Sequence, residues 1–211
     1  VERMRERWRG RVQERLRTPV HAVRRQADGV QLLHAGGTES FDHAVLACHS
    51  DQALAMLEDA DARERAILGA LEYQDNEAIL HTDARLLPRN RKAWAAWNAH
   101  VPADPCTPCT VSYCMSLLQG LGTREPFVVT LNRGEAIDPA RVLRRMRYAH
   151  PVYTAASVAA RARCHEIQGL RRTWFAGAYW GWGFHEDGIR SGEEVADALQ
   201  AHAARHLRAA A

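Results

Sequence analysis

The segment 173–206 constrains this chain most. Thr173 to Tyr179 is a short apolar run, Gly181-Trp-Gly-Phe-His-Glu-Asp-Gly188 is rich in glycine, and Ile189 to about His206 has helical spacing. A strand turned through glycines into a long helix is a junction of an α/β layer. A helix N-terminus exposes unpaired N–H groups and carries partial positive charge. Glycines also let a ligand approach the backbone closely. The junction therefore either turns the chain or receives an anion or a polarised carbonyl oxygen. Trp174, Phe175, Tyr179, Trp180, Trp182 and Phe184 crowd into it. A packed core accounts for Trp174 and Phe175, and the loop aromatics suit a wall beside a planar ligand. The loop is not a dinucleotide fingerprint. Gly181 and Gly183 supply G-x-G, but Glu186 stands where the third glycine belongs, and no ribose-binding acid follows about 20 residues on. Glu186 and Asp187 would repel a pyrophosphate and fit better as complements to the helix dipole beside an uncharged ligand.

With 211 residues, 46% hydrophobic and 25% charged, the chain can bury a core as one full domain or two small ones. Its net charge of +3, from 28 basic and 25 acidic residues, argues against a dedicated nucleic-acid or membrane-surface binder. No run approaches the roughly 20 apolar residues of a membrane span. Val1 to Arg7 is charged and unlike a signal peptide, and the missing initiator Met suggests a start in mid-protein. Five cysteines without framework spacing suggest a reduced, cytoplasmic protein.

Along the chain, residues 2–16 read as a solvated helix. Val20–Arg25 and Val30–His34 read as a hairpin about Asp28-Gly29, followed by a turn at Gly36-Gly37. Residues 41–47 read as a buried strand. Helices are predicted over 52–57, capped by Ser50 or Asp51, and to Leu71 from a cap at Asp61. The runs 77–82, 92–99, 107–117 and 126–132, with 144–148 in addition, read as an antiparallel sheet. Residues 155–167 read as a helix stopped by Gly169. The predicted fold is mixed α/β, with an antiparallel-sheet domain inserted between the two ends of one layer. The expected boundaries are 1–50, 51–168 and 169–211.

The run Thr173-Trp-Phe-Ala-Gly-Ala-Tyr-Trp-Gly-Trp-Gly-Phe-His-Glu-Asp-Gly-Ile-Arg-Ser-Gly resembles the C-terminal FAD-binding segment of the flavin-containing amine-oxidase superfamily. More narrowly, it is similar to bacterial NAD/FAD-binding oxidoreductases with a GFHEDG…SG signature. Leu80-His-Thr-Asp83 with Leu87-Pro-Arg89, Trp94-Ala-Ala-Trp-Asn98, Ser112-Tyr113 to Leu118-Gln119, Val129-Thr-Leu-Asn132 and Tyr148-Ala-His-Pro-Val-Tyr153 agree. The resemblance implies FAD as cofactor and a Rossmann-like FAD domain, of which this chain is the C-terminal part. It puts Gly177, Ala178 and Tyr179 near the phosphate–ribitol region. Gly183 and the amides of His185, Glu186, Asp187 and Gly188 fall at the flavin N1–C2=O edge, where a helix N-terminus stabilises reduced-flavin charge. Phe184 falls on one aromatic wall of the substrate cage, and His150 and Tyr153 on the opposite one. Arg17-Thr-Pro-Val20-His-Ala-Val23 matches the adenine-side hairpin, with Val20 pairing the adenine.

The departures are equally specific. No G-x-G-x-x-G βαβ unit occurs in the 211 residues, Ser116 stands where relatives usually place Asn, and Lys92, the sole lysine, reads as a surface residue rather than a flavin-facing one. Cys106-Thr-Pro-Cys109 lacks the second pair a zinc site needs, and no H-E-x-x-H occurs, so no metal is expected. His150 and His185 remain open as catalytic bases. Arg141, Arg144, Arg145 and Arg147 read as a solvated face. The expectation is an FAD-dependent oxidoreductase acting on an unidentified small molecule. The alternative is a non-catalytic fragment unable to hold FAD alone. Either would need a front half or another copy to cover its exposed sheet edges.

Overall fold

A computed structural model describes residues 2–104, 106–107 and 109–209, with side chains of the last helix to residue 204. In chain order the elements are α1 (Glu2–Trp8), β1 (Val20–Arg25), β2 (Val30–His34), β3 (Gly37–Phe41), β4 (Ala44–Leu46), α2 (Ser50–Met56), α3 (Ala62–Leu68), β5 (Tyr73–His81), β6 (Trp97–His100), β7 (Thr110–Cys114), α4 (Met115–Leu118), β8 (Val128–Leu131), β9 (Val142–Pro151), α5 (Ala155–Ala162), β10 (Thr173–Phe175) and α6 (His185–Ala209). They form two compact units, one of Val1–Glu72 with Pro151–Ala211, the other of Tyr73–His150. The middle unit is narrower than 51–168, because α2 and α3 join the first unit's core through Ala53, Leu57, Ile67 and Leu68, and Ile167 joins it from beyond α5.

In the first unit, β1, β2 and β3 form an antiparallel meander, and β4 pairs in parallel with β10. The run 41–47 is thus two strands. Phe41 ends β3 opposite Val30, and Ala44–Leu46 lies against Thr173–Phe175. Val23, Val30, Ile67, Leu68, Ile167 and Phe175 bury their side chains fully, each worth about 1.5–3 kcal/mol relative to exposure. Asp61 caps α3 as expected, accepting from the amides of Arg63 and Glu64, while the Glu64 carboxylate returns a bond to the Asp61 amide.

Beneath β1 lies a buried ionic cluster. Arg25 pairs with Glu64 through both carboxylate oxygens and with Asp59 at 2.8 Å. Arg171 adds bonds of 2.8 Å to Glu64 and to Asp59. Burial works against the Arg25 charge, but Glu64 and Asp59 outweigh it and raise its pKa. Arg171 and Arg172 are both left-handed, at φ 48° and 63°, a conformation costing about 1–2 kcal/mol per residue. The Arg171 ion pairs offset that cost.

Beside β4, the chain itself covers part of β10. The Gln168 side-chain amide donates to the Phe175 carbonyl at 2.7 Å and accepts from its amide at 2.9 Å. The Gly169 amide takes the Thr173 carbonyl. The helix expected over 155–167 is α5 to Ala162 followed by a 3₁₀ turn over Cys164–Glu166, and Gly169, at φ 75°, sits with a would-be Cβ 2.8 Å from the Trp174 ring.

The second unit is a five-stranded sheet ordered β6-β7-β8-β5-β9, whose strands overlap the runs read as strands, although the end of the run 107–117 turns out of the sheet into α4 at Met115. Of the run 92–99, residues 92–96 fall outside β6: Asn90 caps a 3₁₀ turn over Arg91–Ala93, with Lys92 exposed, and the strand begins at Trp97. Among its buried residues are three polar ones in a line. His81 Nε2 meets Thr130 Oγ1 at 2.8 Å, Thr130 meets Ser112 Oγ at 2.8 Å, and His81 Nδ1 accepts the Asp83 amide at 3.1 Å. Burial lowers the His81 pKa, and Asp83 opposes that shift. The Asp83 carboxyl lies far below its ordinary range, held by the Arg85 guanidinium and the Asp138 amide.

Candidate functional site

The chain leaves β10 through a 3₁₀ turn over Ala178–Trp180 and a loop into α6. A Cβ on Gly177 would stand 2.3 Å from the Tyr179 ring, and one on Gly181 would stand 2.2 Å from the Asp187 carboxylate. These two glycines are therefore required by the protein's own packing. The Gly177 amide donates to Ser191 Oγ at 2.9 Å, and Ser191 donates to the Gly188 carbonyl, tying the turn to α6. Tyr179 is buried against Trp180, with ring centroids 4.8 Å apart. The Ala178 carbonyl accepts from both Gly181 and Gly183.

The final helix begins at His185, four residues before the expected Ile189, which places Glu186 and Asp187 in its first turn, where acids are favoured. Asp187 turns inward. Its Oδ2 accepts from the amides of Trp182 at 2.9 Å and Phe184 at 3.1 Å, and Oδ1 pairs with Arg190. The Phe184 and Trp182 amides, then Arg190, hold its pKa below the usual carboxylate range. The loop amides are thereby satisfied internally. The amides of His185, Glu186 and Asp187 open α6 and have no intrahelical acceptor. The His185 and Glu186 side chains are exposed.

Against this loop stands Tyr153, whose hydroxyl is 2.6 Å from the place of a Cβ on Gly183. Its ring lies 5.4 Å from that of Trp182, and the Arg161 guanidinium lies 4.2 Å from the Trp182 centroid and 5.4 Å from that of Tyr153. Arg161 donates to the Gly181 carbonyl. Trp182, Phe184 and Ile189 are exposed by 58%, 56% and 58%. Tyr153 and the loop aromatics are thus brought together. His150 belongs to the other unit, where it is exposed and its Nδ1 lies 2.9 Å from Asn76 Nδ2.

Val20 lies in the first unit on a bulged stretch of β1, lining a groove of about 450 Å³ with Leu32, Phe41, His34, Glu39 and Thr18. His34 Nδ1 accepts the Gly36 amide, and Nε2 bonds Glu39 at 2.8 Å. Cys106 and Cys109 are exposed free thiols. Among the described residues no group of three or more His, Cys, Asp or Glu could hold a metal, and no helix is long and apolar enough to cross a membrane.

Arg161 and the inward turn of Asp187 escape sequence reasoning. Arg161 is one of the 28 basic residues and sits in an Ala-rich helical pattern with no spacing that marks it out. An acid in a helix first turn reads equally well as solvated.

The fold is a mixed α/β architecture shared with part of several solved oxidases. An Exiguobacterium sp. 255-15 protein assigned as a protoporphyrinogen oxidase aligns with TM-score 0.68 at 15% identity, over 95% of this chain and 51% of its own. Cyclohexylamine oxidase from Brevibacterium oxydans IH-35A aligns at 0.55 and 13%, over 86% and 47%. A conjugated-linoleic-acid-producing fatty acid isomerase from P. acnes aligns at 0.54 and 14%, over 85% and 47%. The chain spans about half the length of the structures it matches. No protein-family model and no curated protein matches it.

Proposed function

We propose that this chain is the C-terminal half of an FAD-dependent oxidoreductase of the flavin amine-oxidase type. The observation that carries the reading is the parallel β4–β10 pair running through a fixed loop into the 25-residue helix α6, in a fold that covers about half of solved oxidases. The residues present fit the flavin and adenine ends of the cofactor. The amides of His185 and Glu186 at the start of α6 and the helix dipole suit the flavin N1–C2=O edge, with Gly183, Gly188 and the inward-turned Asp187 holding their backbone in place. Gly177, Ala178 and Tyr179 form the turn beside the ribitol–phosphate, and the Val20 groove suits the adenine. No G-x-G-x-x-G motif occurs in the sequence, so the pyrophosphate cradle of a βαβ unit would come from a front half.

FAD, when bound, supplies a two-electron acceptor that takes a hydride equivalent at N5. The protein's part is to orient the ring through the α6 amides, to wall the site with Phe184 and Tyr153, and to favour charge at N1. His150 and His185 are the candidate bases. Five free thiols fit a reducing, cytoplasmic setting. The reading is tested by co-expressing the chain with a βαβ front half from a structural relative. A yellow complex with flavin absorption is expected, and His185→Pro, which changes the backbone at the α6 opening, should weaken flavin retention. A folded, colourless complex overturns the reading in favour of the non-catalytic alternative.

A further inference from the structure

Open aromatic faces attract cations, so an exposed aromatic wall ordinarily suits an ammonium ligand. Here that attraction is already used. The Arg161 guanidinium lies over Trp182 and Tyr153 at 4.2 and 5.4 Å from their centroids. It donates to the Gly181 carbonyl, and among the described residues no carboxylate lies within ion-pair distance of it. A guanidinium carries five N–H donors, so most of its capacity is left over. The α6 N-terminus, four residues after Gly181, adds partial positive charge to the same corner. Of the two acids in its first turn, Asp187 is taken up by the Trp182 and Phe184 amides and by Arg190, and Glu186 is exposed. Trp182, Phe184 and Ile189 meanwhile present apolar surface to solvent, more than a solitary exposed side chain would.

We propose that this corner receives an apolar carboxylate and discriminates against an ammonium, with Arg161 selecting the charge. The apolar part of the ligand covers Trp182 and Phe184, and its carboxylate takes the free donors of Arg161. Arg161 is a specificity-determining residue and takes no part in bond making. The inference rests on the flavoenzyme reading for what happens to the ligand, but its binding does not require flavin.

The test titrates the ¹⁵N-labelled full chain with octanoate and, separately, with octylammonium. The readout is the Trp182 indole N–H, assigned through Trp182→Phe. Octanoate is expected to bind about fivefold or more tightly than octylammonium, the preference of a half-exposed ion pair. Arg161→Gln should abolish the preference, and Arg161→Lys, which keeps the charge, should retain it. Equal or tighter binding of octylammonium, an unmoved Trp182 signal with both probes, or a preference that survives Arg161→Gln overturns the inference. Flavin loading is read separately by visible absorption, so failure of one reading is distinguishable from failure of the other.

Discussion

Glu64→Ala probes the buried cluster beneath β1. Arg24 and Arg25 are adjacent on one strand and so face opposite sides. Arg24 reaches an exposed partner, Glu58, at 2.8 Å, whereas Arg25 and Glu64 both have fully buried side chains. Removing Glu64 strips Arg25 of a bidentate partner and Arg171 of a bond at 2.8 Å, and it opens the capping box of α3. Breaking a buried pair from one side costs about 3–5 kcal/mol. Asp59 still serves both arginines, which puts the expected loss near the lower end, about 3 kcal/mol. For a body of this size that is a fall of roughly 6–12 °C in the midpoint of thermal unfolding followed by circular dichroism. Glu58→Ala should leave the midpoint within about 2 °C, as exposed pairs do. Replacing Arg25 by Met together with Glu64 by Leu should recover part of the loss, because no unpaired charge then remains between those two positions. A Glu64→Ala midpoint within about 2 °C of the parent, or an equal fall in Glu58→Ala, would refute the reasoning.

His81 makes the second unit acid-sensitive. Its folded pKa is depressed, so its contribution is complete above the unfolded value of about 6.5 and is lost as pH falls below that through the folded value. Protonation would also set a proton on Nδ1 against the Asp83 amide. Melting between pH 7.5 and 5 should show this slope, and His81→Asn should flatten it. Asp187→Asn weakens the hold on the loop, so the Trp182 and Phe184 amides should exchange with deuterium markedly faster while the β1–β3 amides do not. Unchanged protection would contradict the inward role of Asp187. Gly177→Ala forces a Cβ to within 2.3 Å of the Tyr179 ring, and should cost about 1–3 kcal/mol in urea unfolding, whereas Gly192→Ala, inside α6 and meeting nothing within 4 Å, should stabilise by up to about 1 kcal/mol.

The features legible in the sequence are those decided within a few residues. The hairpin about Asp28-Gly29 follows from turn chemistry, the Asp61 cap from an oxygen facing the amides two and three residues on, and the middle sheet from alternating runs between breakers. The glycine-rich passage into a long terminal helix was equally plain. The helix starts at His185, four residues before the sequence pattern places it, because glycine and acids read as loop until the inward turn of Asp187 is known.

Tertiary structure alone decided the rest. Ala44–Leu46 finds Thr173–Phe175 far along the chain, and three-residue strands carry no mark of their partner. Arg25, Glu64 and Arg171 meet only once β1, α3 and the turn before β10 have assembled. The glycines of the loop were legible as necessary, but the reason differs by position, a ring beneath Gly177 and a carboxylate against Gly181. Local pattern reports what a segment can become, since its causes lie within hydrogen-bonding reach along the chain. Which side chain fills a space depends on surfaces brought together from distant positions, and that is settled only by packing.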